Sequence, residues 1–406
     1  TPVSKPVIDH PHAEARSLTG GVVYYGDRHA DLRGAYLYGD YSTGKIWAMW
    51  HDGEQVTRHL EIADTTLKIT SISLDVDGEI LITDHDAEGG LYTLAPNHRN
   101  AADVDFPTRL SETGLFQSVK GHVMRPGVIP YSVNAPLWSD GAEKARWLAL
   151  PSDDATIDYR PNRGWNFPDG TVAIKSFALP TGAGTGDPMR WIETRLLVKH
   201  QGEWVGYSYM WNDAETDATF VAAEGADRAY RVRNAAAGRS GRHEQTWRFP
   251  SRAECMVCHT RASNFVLGLS TVQMNGTHDY GRVEANQLVA LEHLGVLRID
   301  VRGDHRAAVR RDAEALGLNQ RDLNAYMDKH LSSAGQRSAP GRSSLFASSP
   351  AALPRLVDPY DAAEPIDARA RSYLHANCAI CHVEAGGGNA QMELEFTRTL
   401  EKKIGR

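Results

Sequence analysis

Two pentapeptides of the same form hold every cysteine in the chain. The first is Cys255-Met256-Val257-Cys258-His259, and the second, 123 residues later, is Cys378-Ala379-Ile380-Cys381-His382. A C-x-x-C-H run is the attachment signature of a c-type haem, because the two thiols add to vinyl groups on one edge of the porphyrin and the imidazole ligates the iron. The sequence therefore predicts two covalently attached haem c groups, with His259 and His382 as the proximal iron ligands.

The C-x-x-C spacing also occurs in zinc sites and in redox-active dithiols, which are the alternative interpretations. A zinc site has no use for a histidine placed identically after both cysteine pairs. No cysteine occurs outside the two pairs to complete another kind of site. We therefore favour haem attachment.

The composition is typical of a soluble globular protein, since 41% of the residues are hydrophobic and 23% are charged. The length of 406 residues exceeds one ordinary core and suggests about three domains. The net charge is −7, so the chain lacks the excess of basic residues typical of nucleic-acid-binding proteins, and we do not expect nucleic acid as a partner. No run of about 18 apolar residues occurs, so we expect no transmembrane helix.

The first residues of the chain and the haem-attachment runs together indicate the cellular compartment of the protein. It begins Thr1-Pro2, without an initiator methionine or a signal peptide. Haem attachment to C-x-x-C-H occurs after export in bacteria, and the acidic pI near 6.2 fits an exported protein. We therefore expect a periplasmic or otherwise exported protein whose signal was cleaved or whose N-terminus is incomplete.

Residues 1–97 have the pattern of short strands joined by turns. Segments 20–26 and 34–41 alternate aromatic or β-branched residues with small ones. The run Asp75-Val76-Asp77-Gly78 lacks the rest of a calcium-binding loop, and we interpret it as a turn between two strands. Short strands at regular spacing with Asp-Gly turns are typical of propeller blades.

This first segment resembles the last part of the six-bladed propeller of the glucose/sorbosone dehydrogenase family, whose members use pyrroloquinoline quinone (PQQ). The resembling residues are Ser17-Leu18-Thr19-Gly20-Gly21, Tyr36-Leu37-Tyr38-Gly39-Asp40-Tyr41 with Gly44-Lys45-Ile46-Trp47, and Ile72-Ser73-Leu74-Asp75-Val76-Asp77-Gly78-Glu79. A blade takes about 40 to 50 residues, so this segment makes about two blades and cannot close a propeller. The resemblance implies that the catalytic base and most PQQ contacts lie in blades outside this sequence, and we assign no catalytic residue.

Residues 106–247 are again rich in strand patterns, notably at 171–178, 191–199 and 204–211. This segment also holds seven of the nine tryptophans. We favour an aromatic β-sandwich core over a carbohydrate-stacking surface or a wall against a haem, because aromatic side chains dominate cores generally. The seven are Trp138, Trp147, Trp165, Trp191, Trp204, Trp211 and Trp247.

Helical signals follow residue 248. Ser251-Arg252-Ala253-Glu254 is a capping box directly before the first C-x-x-C-H run. Helical spacing of apolar residues predicts helices at 283–294, with Gly295 as a stop, and near 321–331. Pro365 opens a helix that leads into the second run, and 332–354 is a predicted linker.

The predicted fold is thus a mixed multidomain one. It has a partial β-propeller at 1–97, a β-sandwich-like domain at 106–247, and mainly α-helical cytochrome c domains at 248–340 and 360–406.

The chain from Phe106 onward resembles a family of bacterial dihaem c-type cytochromes that are often joined to quinone-dependent propellers. The resemblance implies two haems in a periplasmic electron-transfer module. Similar cytochromes continue past Arg406, so we expect the second cytochrome domain to be truncated. The residues that carry the resemblance are Leu110-Ser-Glu-Thr-Gly-Leu-Phe116, Ile129-Pro-Tyr-Ser-Val-Asn-Ala-Pro-Leu-Trp-Ser-Asp-Gly-Ala142, Glu193-Thr-Arg-Leu-Leu197, Tyr209-Met-Trp-Asn212, Phe249-Pro-Ser-Arg-Ala-Glu-Cys255 and Arg369-Ala-Arg-Ser-Tyr-Leu-His-Ala-Asn-Cys378.

The sequence leaves the identity of the sixth iron ligands open. A c-type carrier usually has a methionine or a second histidine opposite the proximal imidazole. For the first haem we favour Met274, which lies in a loop-like Gln-Met-Asn-Gly run, and for the second Met392, the one downstream methionine. The other candidates for the first haem are His278, His293, Met327 and His330.

Three functions fit the sequence. The first is electron transfer, in which two haems pass electrons from a quinone-dependent dehydrogenase to a further acceptor protein. The second is a haem enzyme of the peroxidase or oxygenase type, in which one iron keeps an open sixth position. The third is an assembly subunit that lines up haems between copies. The sequence leaves the oligomeric state open.

Overall fold

A computed structural model gives the fold. It describes residues 5–11, 14–65, 67–85, 89–96, 106–161, 164–181, 189–200, 202–233, 242–260, 263–299, 310, 313, 316–332, 346, 349–383 and 392–398. Residues 97–105 and most of the predicted linker at 332–354 lie outside these residues.

Two antiparallel sheets form the N-terminal part. They share one apolar core that includes Leu37, Ile46, Ile72 and Ile82. The predicted turn at Asp75 is confirmed, since its carboxylate accepts hydrogen bonds from the backbone N–H groups of Asp77 and Glu79. The strands are β1 Leu18–Val23, β2 Tyr36–Asp40, β3 Lys45–His51, β4 Val56–Asp64, β5 Ile69–Leu74, β6 Ile80–Asp84 and β7 Gly90–Tyr92. One sheet has four strands in the order β1-β2-β3-β4, and the other has three strands in the order β5-β6-β7.

The centre of the molecule is a six-stranded antiparallel sheet with strand order β10-β11-β13-β14-β15-β16. Its three long central strands confirm the three strand patterns predicted from sequence. Two hairpins, β8-β9 and β17-β18, flank it. The strands here are β8 Phe116–Ser118, β9 Val123–Met124, β10 Ile129–Pro130, β11 Glu143–Ala149, β12 Ile157–Asp158, β13 Val172–Leu179, β14 Arg190–His200, β15 Glu203–Trp211, β16 Ala218–Phe220, β17 Ala226–Arg233 and β18 Arg242–Phe249.

The two faces of this sheet are covered differently, because side chains alternate along each strand. One face carries Ile174, Leu196 and Trp211 and packs against the 110–119 segment. The other face carries an apolar cluster at each end. Leu148 and Leu197 belong to the cluster at one end, and Phe177 packs with Trp247 at the other.

The tryptophans are mainly core residues, as predicted. Trp165, Trp204, Trp211 and Trp247 are buried. Trp138 is the exception, with 57% of its surface exposed.

The C-terminal half consists of short elements. They are α1 Arg252–Cys258, α2 Thr271–Met274, β19 Thr277–Asp279, β20 Glu284–Asn286, α3 Gln287–His293, β21 Leu297–Arg298, α4 Gln320–Ser332 and α5 Ile366–Asn377. Helix α1, which contacts β15, precedes the first C-x-x-C-H histidine, α3 shares an apolar cluster with the six-stranded sheet, and α5 ends at the second run. In the part of the chain that the structure describes, none of the helices is long and apolar enough to cross a membrane.

The predicted fold class is wrong, because the cytochrome region is not mainly α-helical. The described residues form mostly antiparallel strands with five α-helices, three of which have seven residues or fewer. Such helices are too short to be stable alone and depend on packing against the sheet. The predicted helix at 283–294 starts only at Gln287, because residues 284–286 are a strand.

Segments 106–247 and 248–340 were predicted as separate domains, but they share a core. Strand β12 pairs in parallel with β21, which joins Ile157 to Leu297 across the two segments. Trp165 and Trp204 pack in one apolar cluster with Leu288 and Leu291 of α3.

His122 lies among aromatic rings on the first face of the sheet. Its ring centroid is 4.3 Å from that of Trp191, 4.9 Å from Trp147 and 5.3 Å from Trp211. Burial lowers the pKa of His122 to about 4. The folded protein therefore keeps this imidazole neutral where the unfolded chain, with a pKa near 6.5, would protonate it.

We expect the contribution of His122 to stability to be complete above pH 6.5 and to be lost as the pH falls from 6.5 to 4. The loss is on the order of 2–3 kcal/mol. Urea unfolding at several pH values should show it as a slope that His122→Asn reduces, since asparagine tolerates the positive φ of 57° at this position. An equal slope in the variant would contradict the assignment.

Candidate functional site

The first C-x-x-C-H run is positioned by a capping box, as predicted. Ser251 Oγ accepts from the Glu254 backbone N–H at 3.1 Å, and the Glu254 carboxylate accepts from the Ser251 backbone N–H at 2.7 Å. Cys255 and Cys258 therefore lie on α1, three positions apart, and His259 is its C-cap. Their side chains are held close together on adjacent turns.

The imidazole of His259 is oriented by the backbone. Its Nδ1 lies 2.5 Å from the carbonyl oxygen of Phe265. A carbonyl can only accept, so Nδ1 carries the proton and Nε2 keeps its lone pair. Burial lowers the pKa of His259 to about 4, with smaller contributions from Lys175 and Arg195. Neutral imidazole with an Nδ1–H donated to a carbonyl is the form in which histidine binds metals through Nε2.

Helix α1 lies directly on strand β15. A Cβ atom added to Gly206 would come within 2.7 Å of both Cβ and Sγ of Cys255. Glycine at this position therefore allows the close approach of the helix and the strand.

Alanine in place of Gly206 is expected to destabilise the protein by about 1–3 kcal/mol, because it overpacks the contact with Cys255. Urea unfolding measures the change. Gly20→Ala is the matched control, since its added Cβ has one neighbour, the Tyr36 hydroxyl at 3.8 Å. Equal effects of the two substitutions would show that the helix–strand contact is not tight.

The second run follows α5, as predicted. Cys378 is the C-cap of α5, and the backbone N–H of His382 donates to the Cys378 carbonyl at 2.9 Å. In the described part of the chain, the buried Nδ1 of His382 has no hydrogen-bond partner. The backbone N–H of Leu394 donates to the carbonyl of His382 at 2.9 Å, so the chain after residue 392 returns to this histidine.

The two runs face one cavity of about 930 Å³. Cys255, Cys258 and His259 line it from the first run, and Ala379 and Ile380 line it from the second. Burial raises the pKa of Cys258, and the charge of Cys381 raises it further, so these two thiols lie within electrostatic reach of each other. The volume is at the upper end of the range of cofactor pockets in proteins.

A loop at 131–138 connects the sheet to both runs. The backbone N–H of Ala135 donates to Gln273 Oε1 at 2.9 Å. The backbone N–H of Trp138 donates to Asn377 Oδ1, directly before Cys378, at 2.8 Å. The loop therefore holds the segment after the first run and the start of the second.

Burial of the first pair of thiols argues against a redox-active dithiol. Burial raises the pKa of Cys255 to about 11, whereas a redox-active dithiol has a lowered thiol pKa. All four cysteines are free. Within the described ranges, no three His, Cys, Asp or Glu side chains form a group that could hold a metal ion.

The favoured sixth ligand does not lie at the cavity. Met274 is 1% exposed and belongs to the apolar cluster around Trp165. His278 is bonded through Nδ1 to Ser132 Oγ at 2.7 Å, and His293 is exposed at the end of α3. Ligation by Met274 stays a prediction and would need α2 to rearrange.

Met327 and Met392 also do not line the cavity. Met327 is half-buried on α4, and the side chain of His330 lies outside the described residues. Met392 is half-buried and lies two residues before Leu394. Because the backbone N–H of Leu394 donates to the carbonyl of His382, Met392 lies in the segment that returns to this histidine.

Sequence reasoning missed His375 and three basic residues that line the cavity. His375 Nδ1 accepts from the Phe396 backbone N–H at 3.0 Å, so its Nε2 carries the proton. Burial lowers its pKa to about 4. The basic residues are Arg146, Lys175 and Arg195, and the available signal for Lys175 and Arg195 was a charge inside a predicted strand.

No family model matches this chain, and no solved structure matches it significantly. The resemblances to propeller dehydrogenases and dihaem cytochromes therefore stay predictions. The proposed function rests on the geometry of the two C-x-x-C-H runs and their cavity.

Proposed function

We propose that the chain is an exported dihaem c-type electron carrier, which takes electrons from a linked or partner quinone-dependent dehydrogenase and passes them to an acceptor protein. The observation that carries the proposal is His259, whose Nε2 is free for a metal beside two free thiols on the wall of a 930 Å³ cavity. Covalent attachment needs only this local arrangement and not a helical domain.

The chain's own residues have distinct roles in this proposal. Cys255 and Cys258 would hold one porphyrin, and Cys378 and Cys381 the other. The Phe265 carbonyl fixes the tautomer of His259 and increases its basicity toward iron. When bound, each haem supplies a one-electron ferric–ferrous couple.

The common cavity supports transfer between the two sites. Cys381 is close enough to Cys258 to raise its pKa, and Ala379 and Ile380, the two residues between the second pair of cysteines, face the same space as Cys255. Groups attached to the two runs would therefore be neighbours. This arrangement suits a carrier, in which electrons enter at one site and leave at the other.

One observation favours the enzyme alternative. Within the described residues, Met274, His278 and His293 do not line the cavity. These three predicted ligands would then not be in place to coordinate an iron held by His259, and an iron without a sixth protein ligand is what a peroxidase or oxygenase requires. Two low-spin, six-coordinate haems would exclude this alternative.

The test is a pyridine haemochrome assay with intact mass and reduced-minus-oxidised spectra on the purified protein. We expect two c-type haems per chain, both low-spin. One high-spin haem would favour the enzyme, and the absence of covalent haem would refute both proposals.

A further inference from the structure

A row of basic side chains crosses the second face of the six-stranded sheet. Arg146 on β11 is directly opposite Lys175 on β13, which is directly opposite Arg195 on β14. Directly opposed residues of antiparallel strands point to the same face. All three line the cavity that holds Cys255 and Cys258.

The row lies between the two apolar clusters of this face. Leu148 and Leu197 lie two positions along the strands on one side, and Phe177 on the other. The guanidinium of Arg195 and the ammonium of Lys175 lie 4.4 Å and 4.8 Å from the centroid of the Phe177 ring. These contacts hold the two cations extended at the cavity wall.

The positive charge of the row is only partly balanced. Glu193 forms a bidentate pair with Arg195, at 2.8 Å from both Nε and Nη2. Among the described residues no carboxylate pairs with Arg146 or Lys175. Like charges opposite each other destabilise a sheet, and Arg146 and Lys175 lack a carboxylate among the described residues that would offset this, so the row is suited to an anionic ligand.

The other carboxylates at the cavity have partners of their own. Glu254 pairs with Arg248 at 2.9 Å, and Glu395 pairs with Arg398 at 3.2 Å. The remaining lining cations are Lys68, Arg160 and Arg398. The side chains that face the row therefore do not supply the missing negative charge.

The row is also within electrostatic reach of the first run. Burial raises the pKa of Cys255 and the positive charge of Arg195 partly offsets this rise, so the Arg195 guanidinium lies near the Cys255 thiol. Lys175 has a pKa well below its ordinary value, because burial and the charges of Arg146 and Arg195 both disfavour its cation. An anion bound to the row would relieve this repulsion.

We propose that Arg146, Lys175 and Arg195 bind the two propionate carboxylates of the porphyrin held by Cys255 and Cys258. This inference rests on the proposed function. A porphyrin of this kind carries two carboxylates, and the row offers two basic side chains, Arg146 and Lys175, that pair with no carboxylate among the described residues. Arginine pairs bidentately with carboxylates, and lysine acts as a point charge.

Two consequences follow for the first haem. Fixed cations disfavour the more positive ferric state, so the row raises the reduction potential. The row also keeps the propionates ionised, so the potential does not change with pH near neutrality.

The test is spectroelectrochemical titration of the full holoprotein between pH 5.5 and 8.5. Lys175→Gln and Arg146→Gln are each expected to lower the reduction equilibrium constant of one haem about tenfold, or about 59 mV for one electron. The potential of that haem should also become pH-dependent. Lys175→Arg should restore both properties, and Arg231→Gln, an exposed cation on β17, should change neither.

Three other outcomes would each refute either the inference or the proposed function. Two haems with unchanged potentials in Lys175→Gln and Arg146→Gln would refute the inference and leave the proposed function standing. A wild-type potential that shifts with added inorganic phosphate at constant ionic strength would show that free anions occupy the row, which also refutes it. A wild-type chain without covalent haem would refute the proposed function itself.

Discussion

Serine in place of both Cys255 and Cys258 is expected to reduce the covalently bound haem from two groups per chain to one. Serine cannot form the thioether bonds, whereas the second run, 123 residues away, keeps its own cysteines. Intact mass and the ratio of haemochrome absorbance to protein measure the loss. The remaining haem should keep a c-type haemochrome spectrum.

The matched control is the same double substitution at Cys378 and Cys381. It should also leave one haem, and the quadruple variant should carry none. Two covalent haems in either double variant would contradict the assignment of one haem to each run. Comparison of the two single-haem proteins would also give each site its own spectrum and potential.

Alanine in place of Glu193 is expected to destabilise the protein by about 3–5 kcal/mol. This carboxylate is fully buried and pairs with Arg195, and it also accepts from Ser208 Oγ and from Trp247 Nε1 at 2.8 Å. Its removal leaves the Arg195 guanidinium unpaired beside Lys175. Urea or thermal unfolding measures the change.

Glu61→Ala is the control for this effect, because Glu61 pairs with Lys45 at 2.6 Å with 40% of its side chain exposed. Surface pairs contribute about 1 kcal/mol or less. Glu193→Gln should lie between the two variants, since its amide keeps the shape and part of the hydrogen bonding. A loss at Glu193 no larger than that at Glu61 would show that the buried network does not stabilise the fold.

Features set by neighbouring residues could be predicted from the sequence. The capping box at Ser251 is local chemistry, and it places the first run on α1. Gly295 has the positive φ of 72° that ends α3, and the Asp75 turn joins β5 to β6. In each case the residue types involved have one favoured backbone conformation.

Features set by distant partners could not be predicted. Helical periodicity from Val283 predicts a longer helix, but residues 284–286 pair with β19 instead. The pairing of β12 with β21 joins residues 140 positions apart. Likewise, Lys175 and Arg195 look like isolated charges in apolar strands until the strand register puts them side by side.

The loop at 131–138 has a consequence for the order of folding. Each pentapeptide is complete within five residues, so attachment of a cofactor needs no distant part of the chain. The placement of the two runs depends on hydrogen bonds that the backbone N–H groups of Ala135 and Trp138 donate to Gln273 and Asn377. These partners lie 138 and 239 positions later in the chain. Contacts of such long range form late and slowly. On the proposed function, haem attachment would therefore come before assembly, and the sheet would bring two already loaded segments into register.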